Sequence, residues 1–230
     1  MPKTLLARLP LFAGLAQDEL EQLTAGASSH KVANGELLFR RGDPCRGFYV
    51  VQRGQIKLVL PSRSGSDKVV DVVYPGQSFG EAVMFLEKDF MVDARAVLDS
   101  TVIHVPRQAL FEGIERLPAV ARKMLAYLAA RAHRLLLDVE AMALYSSKQR
   151  LVSDLLARLP PAPDSAGRWL LTLDVAKGVL ASRLDMSGAC LSRLLQELSG
   201  LGLIAVSGRR IEVLDLPALR AESSKPLQRW

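Results

Sequence analysis

Gly188, Ala189, Ser192, Arg193 and Gln196 share one face of any helix drawn onward from Ser187, while Leu191, Leu194, Leu195 and Leu198 share the other. An arginine on such a polar face carries a planar fork of donors that matches O6 and N7 of guanine, worth about 1–3 kcal/mol of discrimination. Ser192 is short enough to sit against a neighbouring base edge. These residue types suit hydrogen bonding to base edges rather than the making of bonds. Ser187 stands where a helix N-cap is wanted, because its hydroxyl can accept an orphan backbone N–H. Together with Lys177, Arg209 and Arg210 it is a candidate for phosphate contacts, which set register and salt dependence but carry no sequence information.

Such a face must be held by a partner helix and a turn. Lys177 to Leu198 supplies both: Val179, Leu180 and Leu184 mark a first short helix, Asp185-Met186 a tight turn, and Ser187 the start of a second. Ala181 is small where two helices would cross. Asp185 tolerates the left-handed backbone that the turn needs. An ordinary helical hairpin has the same pattern. The next segment separates the two readings, because Gly200 to Ile204 stops the helix and Ala205 to Leu214 alternates about a Ser207-Gly208 turn with Arg209 and Arg210 at its tip. Two helices and then a basic β-hairpin make a winged helix, a fold that places its second helix in a DNA major groove.

The 230 residues are enough for two modest domains. Residues from 148 onward carry twelve Lys and Arg against eight Asp and Glu, which accounts for +4 of the net +6. The positive excess thus sits on the part that would meet phosphates. Although 49% of residues are apolar, no run approaches the roughly 18 needed to span a bilayer. Arg8 and Pro10 break the only signal-like stretch, so a cytoplasmic protein without a membrane partner is expected. Cys45 and Cys190, far apart in the chain, offer neither a disulfide framework nor a cysteine-rich metal site. His30 and His104 lack a His-x-His spacing, and no Ser/His/Asp or Cys/His grouping stands out, so an enzyme is not expected.

Gly35 to Val105 reads as a string of short strands with Gly and Pro turns, the signature of a β barrel or jelly roll. From Leu117 the period changes. Leu117, Ala121, Met124, Leu128, Ala132, Leu135, Val139 and Met142 step by three or four, with a second line through Leu125, Ala129 and Leu136. One line can pack on the strands and the other on a second copy, which predicts a homodimer through the helix around 117–142; the alternative is that both lines bury within one subunit. Tyr145-Ser146-Ser147 breaks the pattern as a hinge. The expected organisation is α+β: a sensory jelly roll over 1–116, a dimerisation helix and hinge over 117–145, a winged helix over 146–220, and a tail over 221–230.

The runs GELLFRRGDPCRGFYVVQRGQIKL (Gly35 to Leu58), PGQSFGEAVMF (Pro75 to Phe85) and LIAVSGRRIEVLD (Leu203 to Asp215) resemble the Crp/Fnr family of bacterial transcription regulators over nearly the whole chain. The first two are similar to the glycine signatures of cyclic-nucleotide-binding jelly rolls. The resemblance implies a homodimer, an effector pocket in the roll, a palindromic DNA site and RNA polymerase as a partner. FGEAVMF and VAKGVLA (Val175 to Ala181) most resemble the branch of denitrification regulators that respond to nitric oxide, some through haem. The family commonly starts its recognition helix Ser/Thr-Arg-Glu-Thr-Val-Ser/Gly-Arg. Here the matching run is Ser187-Gly188-Ala189-Cys190-Leu191-Ser192-Arg193. Ser192 and Arg193 are kept, but the Glu that accepts from cytosine N4 is replaced by Ala189, so an altered half-site is expected.

The resemblance also frames the signal. Cyclic-AMP receptors follow their Gly-Glu pair with Arg-Ser eleven residues on; here Gly80-Glu81 is followed by Phe90-Met91-Val92-Asp93. Burying a phosphate beside Asp93 without that cation would cost several kcal/mol, so cyclic AMP is not expected to bind in the usual way. Gly80 and Glu81 then read as a tight turn and a carboxylate capping backbone amides. An iron–sulfur cluster needs about four thiolates and is excluded by the cysteine count. Haem remains a candidate. Phe79, Met84, Phe85, Met91 and Tyr127 would line the effector pocket, although Met and aromatic residues at such spacings are more often plain core. His133 is either a haem ligand or, more commonly for such a position, a polar residue on the open side of the helix. Pro2 is similar to the iron-ligating N-terminal proline of the carbon-monoxide sensors, but Ala82 stands where that branch has its proximal His. Cys45 and Cys190 could serve in redox sensing, with burial of Cys190 the simpler reading. The competing function is a sensory module that regulates a protein partner and carries a degenerate DNA-binding domain.

Overall fold

The computed structural model describes Phe12, residues 16–62 and residues 67–223, and Pro2 lies outside them. The chain forms two compact units, 1–133 and 134–230.

In the first unit, helix α1 (Gln17–Leu23) leads into strands β1 (Ser28–Val32), β2 (Leu37–Phe39), β3 (Gly47–Arg53), β4 (Ile56–Leu60), β5 (Lys68–Val73) and β6 (Ser78–Phe79). The short helix α2 (Glu81–Phe85), β7 (Asp93–Ala96), β8 (Ser100–Pro106) and α3 (Arg107–Arg116) come next. The strands make two antiparallel four-stranded sheets, β1-β8-β3-β6 and β2-β7-β4-β5. Alternation along β3 and β8 turns Phe48, Val50, Ile103 and Val105 inward, where they are completely buried. An aromatic cluster fills the middle: Phe39 stacks on Phe90 at 3.6 Å and Tyr49 on Phe79 at 5.5 Å. This is the expected jelly roll. Its first strand and the helix α3 lie outside the sequence expectations. β1 carries one buried residue, Val32, in an otherwise exposed SSHKV, and so shows no apolar alternation.

The long helix α4 (Pro118–Leu144) was expected from about Leu117 to Met142. Its first turns lie on the roll, with Val120 and Met124 buried in the same core as the strands and Tyr127 packed against it. Beyond Arg131 the burial ends: Leu135, Leu136, Val139 and Met142 are all exposed. The first apolar line therefore packs on the strands only in its N-terminal half.

The second unit holds α5 (Ser147–Ala157), β9 (Trp169–Thr172), α6 (Lys177–Arg183), α7 (Gly188–Gly200), β10 (Ile204–Ser207), β11 (Arg210–Val213) and α8 (Leu216–Ser223). Ser146 and Gln149 close a capping box on α5, with the Ser146 hydroxyl accepting from the Gln149 amide at 3.2 Å and the Gln149 carboxamide from the Ser146 amide at 2.9 Å. The strands form one antiparallel sheet, β10-β11-β9, against α7. Leu151, Leu155, Leu180, Leu191, Leu198 and Ile211 form its buried centre.

Candidate nucleic-acid interface and effector pocket

Asp185 has φ +55, the left-handed conformation expected at the turn between α6 and α7. Ser187 caps α7, its hydroxyl accepting from the Cys190 amide at 3.1 Å. Leu191, Leu194, Leu195 and Leu198 are buried, and Ala181 is buried where α6 meets α7. The opposite face is open: Gly188, Ala189, Ser192, Arg193 and Gln196 are all exposed. The Arg193 guanidinium lies 3.9 Å from the Cys190 sulfur, and Cys190 is only half-buried. A Cβ on Gly188 would meet nothing within 4 Å, so this position is not reserved for glycine by crowding.

The wing is equally direct. β10 and β11 pair from Ile204↔Val213 to Ser207↔Arg210, leaving Gly208 and Arg209 as a two-residue turn, one residue later than the expected Ser207-Gly208, because Ser207 is held in the ladder by Arg210. Gly208 sits at φ +61, as the first position of such a hairpin turn requires. Arg209 and Arg210 are exposed at the tip, and Lys177 is exposed at the first position of α6. Every residue named from the sequence as a base or phosphate contact is thus on the surface of this unit. Lys148 supports the scaffold, pairing with Glu197 of α7 and Glu222 of α8 at 2.9 Å each. Burial pulls its pKa down, but the two carboxylates outweigh that and leave it raised.

The roll departs further from expectation. Phe79 and Met84 have no exposed surface and are part of the packed core rather than a pocket wall. Phe85 turns to α3, stacking on Phe111 at 5.5 Å. Met91 is 60% exposed, its side chain turned to solvent rather than into the core. Gly80, at φ +93, makes the expected tight turn. Of the backbone amides that Glu81 was expected to cap, its carboxyl meets its own. The residue is 2% exposed, with Oε1 buried and lacking a partner. Burial pushes it above the ordinary carboxylate range, against the opposing influence of the Ser78 hydroxyl, its own amide, Arg131 and the Tyr127 hydroxyl.

Arg131 is the residue that sequence reasoning missed. It donates to the Ser78 carbonyl and to Asp71 Oδ2, both at 3.0 Å. The Ser78 hydroxyl donates to the Tyr127 hydroxyl at 3.0 Å. The signal was present in the spacing, since Val120, Met124, Tyr127 and Arg131 recur at three and four along the helix face that meets the roll. Asp93, expected to repel a phosphate, accepts from the Arg41 amide at 2.8 Å. His133 and His30 are exposed. His104 is half-buried, 6.3 Å from His30 between ring centres, and burial, then the neighbouring His30, lowers its pKa. Among the described residues no group of three or more His, Cys, Asp or Glu could hold a metal ion, and no helix is long and apolar enough to cross a membrane.

Two family descriptions match this arrangement in order along the chain. Residues 29–116 match the cyclic nucleotide-binding domain and residues 149–222 the Crp-like helix-turn-helix domain. The chain belongs to the Crp/Fnr family. It is 26% identical over 210 residues to the cyclic AMP receptor protein of Thermus thermophilus, covering 91% of this chain and 94% of the relative. The crystal structure of DNR from Pseudomonas aeruginosa is 27% identical, with a TM-score of 0.52 and coverage of 96% and 97%. FixK2 from Bradyrhizobium japonicum shares the fold at a TM-score of 0.75 and 20% identity, covering 86% of this chain and 98% of its own. The protein is accordingly a Crp/Fnr-type DNA-binding transcription regulator.

Proposed function

We propose that two copies of this chain join along the exposed half of α4 and present two α7 helices to a palindromic site, with half-sites about one duplex turn apart. The observation that carries this reading is the open face of α7, where Arg193 and Ser192 are exposed on a helix whose other face is buried. Arg193 forks onto a guanine and Ser192 sits beside it. Gln196 reaches the next base edge, while Gly188 and Ala189 leave unread the cytosine that the family's Glu contacts. Lys177, Ser187, Arg209 and Arg210 hold phosphates. Leu136, 64% exposed, and Leu125, 67% exposed, lie on the second apolar line, which needs a partner surface to cover it. RNA polymerase is the protein partner that a promoter-bound regulator requires.

The effector is read at the polar corner of Glu81, Ser78, Tyr127 and Arg131, beneath the last turns of α4 that touch the roll. Cyclic AMP in the usual pose does not suit it, because the Phe90 to Asp93 stretch brings no cation and Asp93 already serves the Arg41 amide. Haem does not fit the residues named for it. Phe79 and Met84 border no space that even a water could enter, Met91 faces solvent, and His133 is exposed.

Selection of duplexes from a random pool by the full-length chain, paired with sedimentation velocity, tests the main reading. A recovered palindrome and a dimer are expected; a monomer that enriches no sequence would overturn it. Titration with cyclic AMP should give no micromolar binding, and added haem should produce no Soret band. Either signal would overturn the corresponding statement about the pocket.

A further inference from the structure

Arg150, in the first turn of α5, spreads one guanidinium over three parts of the second unit. Its Nε donates to the Leu184 carbonyl at 2.9 Å and its Nη2 to the Asp185 carbonyl at 3.1 Å, so two bonds fall on the turn of the helix-turn-helix. Its Nη1 donates to the Tyr145 carbonyl at 2.8 Å, the first residue beyond α4. Nη2 also meets the Ser147 hydroxyl at 3.2 Å. The side chain is half-buried, so these bonds are partly shielded from water.

The pattern is more than a helix cap. Leu184 and Asp185 come just after the last residue of α6, where unpaired carbonyls collect and a cation is favoured. Asp185 is also the left-handed residue whose backbone angles set how α7 leaves α6. Because the fork is planar and its donors fixed in relation to one another, the turn and Tyr145 cannot move apart without bending or breaking a charge-assisted bond. Two residues earlier, Lys148 holds Glu197 near the far end of α7 at 2.9 Å. On the other side of α6, Arg183 pairs with Asp154 of α5 at 3.5 Å. The first turn of α5 thus grips α7 at its entry through the turn and again near its end, directly after the end of α4.

We propose that Arg150 is a positioning residue for DNA recognition, tying the helix-turn-helix turn to the chain that leaves the long helix, so that a displacement of Tyr145 is passed to α7. The inference rests on the reading that α7 contacts bases, and it deepens that reading by naming the link. Arg150 itself spends its donors on three carbonyls and the Ser147 hydroxyl. A lysine there keeps the charge but gathers its donors on a single nitrogen in place of the fixed fork.

The test uses the full-length chain carrying Arg150→Lys or Arg150→Gln, with a duplex selected by the wild type and an unselected duplex of equal length. Both variants should bind the selected duplex about tenfold or more weakly, the loss expected from one broken charge-assisted bond. Affinity for the unselected duplex and the salt slope should hold. Amide hydrogen exchange should quicken at Leu184 to Met186 and stay slow at Leu191 to Leu198. Full affinity and protection in the lysine variant would overturn the proposal, because charge alone would then suffice. Uniformly faster exchange across the second unit would also overturn it, leaving Arg150 a general stabiliser. If the wild type selects no duplex, the base-reading role of α7 fails, while the exchange pattern still decides whether Arg150 holds the turn.

Discussion

The winged helix and the jelly roll handle their functional residues in opposite ways. In the winged helix the apolar half of each short element is buried and the polar half is left open, so the candidate contacts stand on the surface that local periodicity assigns them. In the roll both sheets bury their inner faces, and the residues named for a pocket are largely consumed as core. Phe79 and Met84 vanish into the aromatic cluster, Phe85 stacks on α3 and Met91 turns outward. Its polar corner is completed by Arg131, which arrives from a helix some fifty residues downstream of Glu81. A recognition surface can be built within one supersecondary unit, whereas a pocket needs side chains from elements far apart in the chain.

The largest expected effect tests whether the exposed half of α4 belongs with the buried surfaces. Leu135→Glu combined with Leu136→Glu would place carboxylates in the proposed seam at a cost of several kcal/mol. Sedimentation velocity should show a monomer that no longer holds a selected palindrome; an intact dimer would move the seam elsewhere.

Next, Arg193→Ala should remove about 1–3 kcal/mol of preference between selected and altered duplexes without lowering the melting temperature, since the side chain is exposed. Arg209→Ala should instead weaken every duplex alike and reduce the salt slope by about one. Competition gel shifts at several salt concentrations separate the two, and unchanged specificity in Arg193→Ala would refute its assignment.

Ser187→Ala should cost the second unit about 1 kcal/mol by removing the α7 cap. Thermal melting monitored by circular dichroism reads this, and an unchanged melt would mean the cap contributes nothing.

The smallest effect belongs to the roll. Burial holds the Glu81 carboxyl above its ordinary 4.5, so the folded chain keeps that proton more tightly than the unfolded chain does. Its contribution is present below 4.5 and is lost as pH rises through the raised value. Glu81→Gln should flatten that decline in denaturant titrations; the same slope in the variant would show that another group carries it.

Much of the second unit was legible because its signals are local. Asp185 and Ser187 lie within three residues of the turn they shape, and the Gly208 hairpin is set by two residues. In the first unit β3, β4, β5, β7 and β8 were legible from alternation and turn residues, whereas β6, two residues long, was not. β1 was not, since its hold on the sheet comes from pairing with β8 rather than from its own apolar pattern. Helix α3 carried a usable pattern in Leu110, Phe111 and Ile114 that the strand reading passed over.

By itself the amino-acid order determined the class of most elements and the polar face of α7, because helical and strand periods sort apolar from polar side chains over a few residues, while three short runs carried the resemblance to the family. Only the tertiary structure decided which aromatic residues became core, that Arg131 meets Asp71 beside a buried Glu81, and that Arg150 spans the turn and the Tyr145 carbonyl. Those outcomes depend on which distant segments share a volume, and the path of the folded backbone sets that.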